Sequence, residues 1–133
     1  MDSNQVIESI LYVEDEHSAR EELSEVLEDF CDTLYTAANG LEGLELFKKH
    51  HPKIVISDIK MPKLTGIEMA KQIYEIEPDA HVIFTTAFTD TEFLHEAISV
   101  HADNYILKPI DLDILVTELT KLIKNLNLKK DIE

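Results

Sequence analysis

Short apolar runs alternate along this chain with longer segments whose apolar positions recur every three or four residues. The runs predict strands near 8–13, 33–37, 53–58, 81–86 and 104–108, and the longer segments predict helices near 17–30, 40–50, 66–76, 90–100 and 112–127. Ile54-Val55-Ile56 is apolar without alternation, the pattern of a strand covered on both faces. Thr33-Leu34-Tyr35-Thr36 alternates, which predicts a sheet edge. Asn39-x-x-Glu42 and Thr65-x-x-Glu68 have the form of capping boxes, and Asp90 and Asp111 are expected N-caps. Pro52 and Pro78 fall in the connections into the third and fourth strands. Leu112, Leu115, Leu119, Leu122, Ile123 and Leu126 form the apolar stripe of a last surface helix, and the tail 128–133 is expected to fray. Strict strand–helix alternation argues for one parallel sheet with helices on both faces.

Composition narrows the class. With 133 residues, the chain is expected to be a single domain, 1–133, with its core at about 7–127. The formal net charge of −15 argues against direct nucleic-acid binding, which relies on Lys and Arg. No apolar run approaches the roughly 20 residues that span a bilayer, so no membrane contact is expected. The N-terminus lacks the layout of a signal peptide, and Cys31 is the only cysteine. A cytoplasmic location is expected on those grounds. Cys31, placed at the end of the first helix, is expected to be a small apolar filler.

The candidate chemistry sits where strands end. Glu14-Asp15 follows the first predicted strand, Asp58 closes the third, Thr86 the fourth and Lys108 the fifth. In an open parallel sheet, functional groups gather beyond the carboxyl ends of the strands. Three carboxylates, a hydroxyl and an ammonium would then share one shallow pocket able to hold Mg²⁺ and accept a phosphoryl group. The six histidines show no metal-ligand spacing; His50 and His51, adjacent near a helix C-terminus, suit its partial negative charge.

The segments Val13-Glu14-Asp15-Glu16, Ser57-Asp58-Ile59-Lys60-Met61-Pro62, Gly66, Thr85-Thr86-Ala87 and Ala102-Asp103-Asn104-Tyr105-Ile106-Leu107-Lys108-Pro109 resemble, in order and spacing, the receiver domain of two-component response regulators. The resemblance covers about residues 7–127 and implies a flavodoxin-like, doubly wound sheet of five parallel strands in the order 2-1-3-4-5. It implies that Asp58 is the phosphoacceptor. Asp15, Asp58 and the backbone carbonyl of Lys60 would bind Mg²⁺ directly, with Glu14 acting through water. Lys108 would pair with Asp58 and then with a phosphoryl oxygen, Thr86 would bond the phosphoryl group, and Tyr105 would turn inward as the aromatic switch. A cis bond before Pro109 is expected on the same ground. Implied partners are a sensor histidine kinase or phosphotransfer protein and a downstream effector domain or protein, with a phosphorylation-dependent homodimer as a further expectation. The chain is expected to be a signalling phosphoacceptor rather than an enzyme acting on a separate substrate.

The chain departs from that pattern in places. His101 stands where the family usually has glycine after the fourth helix, and Thr65 replaces a common acid. Lys60 and Phe88 occupy the two positions that tune phosphate lifetime; neither suits the orientation of an attacking water, so slow self-dephosphorylation is expected. A Mg²⁺-dependent phosphohydrolase with an aspartyl nucleophile is the competing enzyme reading. It would need a second acid two residues after the nucleophile, where Lys60 stands. A phosphorylation-independent interaction module is the third reading, and the full set of site residues argues against it.

Overall fold

Ile54, Val55 and Ile56 leave no polar side chain to face solvent, and the strand that contains them lies at the centre of the sheet. The computed structural model describes residues 6–87 and 94–132, the side chains of 94, 95, 97 and 130–132 excepted. Its elements run β1 (Ile7–Val13), α1 (His17–Leu27), β2 (Cys31–Ala37), α2 (Gly40–His50), β3 (Ile54–Asp58), α3 (Gly66–Ile76), β4 (His81–Ala87), α4 (Leu94–Ser99), β5 (Asn104–Lys108) and α5 (Leu112–Ile132). All four strand pairings are parallel, and the order is β2-β1-β3-β4-β5, as expected from the resemblance. The alternating β2 does lie at an edge. The expected Asp90 cap, the start of the fourth helix and Phe88 lie outside the described residues.

Side chains alternate across the strands, so each face of the sheet receives its own layer of helices. Leu11, Val13, Val55, Val82 and Phe84 pack against Leu44 and Phe47 of α2 and Ile67, Met69, Ala70 and Ile73 of α3. Ile10, Tyr12, Ile54, Ile56, Ile83 and Ile106 pack against Leu23 and Leu27 of α1 and Leu115, Leu119 and Ile123 of α5. Burial of each such aliphatic side chain contributes about 1.5–3 kcal/mol.

The caps follow the sequence. Asn39 accepts from Glu42 N–H, Thr65 and Glu68 form a reciprocal capping box, and Asp111 Oδ1 accepts from Asp113 N–H. Gly66 opens α3 directly over β3, where a Cβ would collide with the Asp58 carbonyl oxygen. Only glycine lets α3 start that close to β3.

Three details differ from the sequence expectations. Cys31 opens β2 instead of ending the first helix, because a short 3-10 turn (Glu28–Phe30) separates the two. It is buried, with its thiol pushed up to about 11 mainly by desolvation, which keeps it protonated near neutral pH. Leu112 is exposed, and Ile110 packs on the α5-side core in its place. The tail expected to fray has helical backbone: α5 runs to Ile132, with no Gly or Pro to stop it and Lys129 near its negative end. Asn127 also ties it to the Val6 carbonyl at 3.2 Å.

His51 and His101 hold left-handed backbone, with φ of 47° and 55°. His50, beside the first of them, stacks on Tyr35 with ring centroids 4.2 Å apart. His101 is exposed and carries the strain that its glycine-like position implies. His101→Gly is therefore expected to stabilise the fold by about 0.5–1 kcal/mol, read as a melting temperature higher by a few degrees. The Thr85 hydroxyl, fully buried, has no hydrogen-bond partner among the described residues. Thr85→Val removes that desolvated hydroxyl at nearly constant shape and is expected to stabilise by about 1 kcal/mol in denaturant unfolding; a loss of stability would contradict the assignment.

Candidate functional site

Register brings the strand ends together. Val13 pairs with Ser57, so Glu14 follows beside Asp58; Asp58 pairs with Thr85, and Ala87 with Lys108. Each residue singled out at a strand end thus emerges on the same edge of the sheet. The chain leaves β1 with Glu14 N–H donating to the Ala37 carbonyl and leaves β3 with Ile59 N–H donating to the Thr85 carbonyl.

At the centre, the Lys108 ammonium lies 2.7 Å from Asp58 Oδ2 and 2.9 Å from Glu14 Oε1. Carboxylate oxygens of Glu14, Asp15 and Asp58 all lie within 4.8 Å of one another. Asp58 is 6% exposed and Glu14 1%, while Asp15 is open to solvent. Lys108 alone cannot neutralise three acids, and their titration reflects this. Desolvation pushes the Asp58 carboxyl up to about 6; Lys108 opposes that rise, and Glu14 and Asp15 add to it. Burial would also raise Glu14, but hydrogen bonds from Lys108 and Glu16 N–H outweigh it and hold that carboxyl below its ordinary value. The two partners of one ammonium therefore move in opposite directions. Glu14 has a further donor, the Glu16 amide at 3.2 Å. Asp15 is raised by partial desolvation and by Glu14. The Lys108 ammonium is raised: burial disfavours it, but Asp58 and Glu14 hold its proton more strongly.

This donor set fits a hard divalent cation. Such ions take oxygen ligands, and three acids against one ammonium leave a local negative excess that a cation relieves. Lys60 lies two residues beyond Asp58 with its side chain exposed.

Thr86 and Tyr105 lie on β4 and β5, the two strands that end at Ala87 and Lys108. Thr86 is 2% exposed, and among the described residues its hydroxyl makes only a long contact, 3.4 Å, to the Ala87 carbonyl. It shares a sheet face with Phe84, whereas Thr85 points to the other face. Tyr105 is half-buried on β5 with its ring centroid 5.8 Å from that of Phe84. Sequence reasoning missed one residue, Arg20, whose Nη1 donates to the Glu14 carbonyl at 2.7 Å. The available signal was that it is the sole arginine of the chain, one helical turn after Glu16.

Comparisons with known proteins agree on the family. The family model described as the response regulator receiver domain matches residues 10–120. An uncharacterized response regulatory protein of Staphylococcus epidermidis is 35% identical, over 83% of this chain and 47% of its own length. The transcriptional regulatory protein HptR of Staphylococcus aureus is 32% identical, over 88% of this chain and 47% of its own. The chain thus spans about half the length of these curated relatives. The crystal structure of a response regulator receiver domain protein from Clostridium thermocellum aligns with a TM-score of 0.82 at 29% identity, covering 96% of this chain and all of the other. The N-terminal domain of an uncharacterized protein from Wolinella succinogenes gives 0.84 at 34% identity, covering 93% of this chain and 99% of that one. No described helix is long and apolar enough to cross a membrane. Sheet order, strand-end acids and family match converge: this chain belongs to the receiver domains of two-component response regulators, a family of signalling phosphoacceptor domains.

Proposed function

We propose that this receiver accepts a phosphoryl group on Asp58 from a phosphohistidine of a sensor kinase or phosphotransfer protein, and relays the event through its α4–β5–α5 surface. The observation that carries this reading is the ammonium of Lys108 bridging Asp58 and Glu14, with Asp15 alongside. Asp15, Asp58 and the Lys60 carbonyl would hold Mg²⁺, with Glu14 engaged through water. The bound cation would supply charge neutralisation for the incoming phosphoryl oxygens.

An Asp58 carboxylate oxygen attacks phosphorus in line. The O–P bond forms as the donor's N–P bond breaks, and the bonding pair stays on the imidazole nitrogen. Lys108 releases Asp58 Oδ2 and keeps its charge on a phosphoryl oxygen, as a compact ammonium suits. Thr86, whose only described hydrogen bond is the long one to Ala87, turns its hydroxyl to another oxygen. That movement vacates space beside Phe84 and biases Tyr105 inward, a two-state change set by a local charge event. Ile98, Leu107 and Ile114, between 52% and 66% exposed on α4, β5 and α5, give the surface an apolar character suited to a partner. The effector is proposed to be a separate protein or a further domain, and two copies of the receiver joined through this surface are a second output.

Asp58→Asn is expected to abolish incorporation of labelled phosphate from a small phosphodonor, while the wild-type protein takes up no more than one equivalent. Turnover of many equivalents of a phosphate monoester would instead favour a phosphohydrolase. The acyl phosphate is expected to decay over minutes or longer, because neither Lys60 nor Phe88 accepts a hydrogen bond from an attacking water. Decay within seconds, unchanged by Phe88→Glu, would contradict that expectation.

A further inference from the structure

Every polar group of Glu14 is tied down. Its N–H donates to Ala37 and its carbonyl accepts from Arg20 Nη1 at 2.7 Å. Its carboxylate accepts from Lys108 at 2.9 Å and from Glu16 N–H at 3.2 Å. Asp15, next in the chain, is exposed. The peptide joining the two acids is planar, so fixing the Glu14 oxygen also fixes the direction in which the chain reaches Asp15 Cα.

Arg20 is itself braced. Its backbone N–H bonds Glu16 within α1, and Nη2 meets His17 Nδ1 at 3.2 Å. The other nitrogen of that ring meets Glu21 at 3.0 Å. Helix stability does not account for this placement, because a cation in the first turn opposes the helix dipole. Among the described residues no carboxylate pairs with Arg20. What its guanidinium does hold is the carbonyl between the two acids.

We propose that Arg20 is a positioning residue for the acidic pocket: by holding the Glu14 carbonyl it orients the peptide that presents Asp15 to Asp58. This rests on the reading of the pocket as a Mg²⁺ site. The sign of the effect separates position from charge. As a mere positive charge near the pocket, Arg20 would repel a cation, and its removal would tighten binding. As a positioning group, its removal loosens binding.

The test is calorimetric titration of Mg²⁺ into the wild-type protein, Arg20→Met and Arg20→Lys, with thermal melting of each in chelator. Arg20→Met is expected to weaken Mg²⁺ binding about 10-fold, the scale of lost outer-shell support, with little change in melting. Arg20→Lys, which keeps one donor and the charge, is expected to recover part of the loss. Binding by Arg20→Met as tight as wild type, or tighter, overturns the proposal. So does a loss shared by both variants that only tracks a fall in melting temperature. Should Arg20→Met not fold, Arg20→Lys carries the test, and unaltered affinity together with unaltered Asp15 amide chemical shifts overturns it. Absence of Mg²⁺ binding by the wild-type protein overturns both this proposal and the reading of the site.

Discussion

One ammonium facing three carboxylates is the constraint on which the rest depends. Two like charges about 4 Å apart repel by about 4 kcal/mol at an effective dielectric near 20. Lys108 relieves part of this by bridging Asp58 and Glu14, but it cannot satisfy Asp15 as well. The unrelieved part appears as an Asp58 carboxyl held well above its ordinary pKa. A pocket in that state favours cations and poises one acid for a change in its charge.

The fold exists to impose this crowding. Parallel strands in register deliver their carboxyl ends to one edge, and no single element contains more than two of the four charged residues. Glu14 is held by β2 behind, α1 above and Lys108 across the pocket. Asp58 is held by the centre of the sheet and by the close approach of Gly66. Thr86 and Tyr105 both lie beside Phe84: Thr86 shares its sheet face, and the Tyr105 ring centroid is 5.8 Å from that of Phe84.

Much of this was legible in the sequence because the signals were strong and local. The apolar run at Ile54–Ile56, the caps at Asn39, Thr65 and Asp111, and the strand-end acids each carry their own physical reason. The strand order was not: alternation of elements allows several orders, and only the resemblance selected one. The resemblance gave the pairing of Lys108 with Asp58, but its second partner, Glu14, 94 residues away, was hidden. Arg20 was missed because an arginine on an acidic helix reads as a solvated charge until its carbonyl partner is seen. The length of the last helix was not legible, because its polar composition says little about an end tied by Asn127 to Val6.

The most direct measurement is a carbon-13 NMR titration of the Asp58 carboxyl, first in chelator and then with Mg²⁺. Because burial and neighbouring acids raise this pKa in the folded state, the account predicts a midpoint near 6 without the cation. The corresponding stability is present below the ordinary carboxylate range and lost as pH rises through the folded midpoint. With Mg²⁺ the midpoint should fall, since the cation binds the ionised form. A midpoint at the ordinary carboxylate value, indifferent to Mg²⁺, would contradict the account.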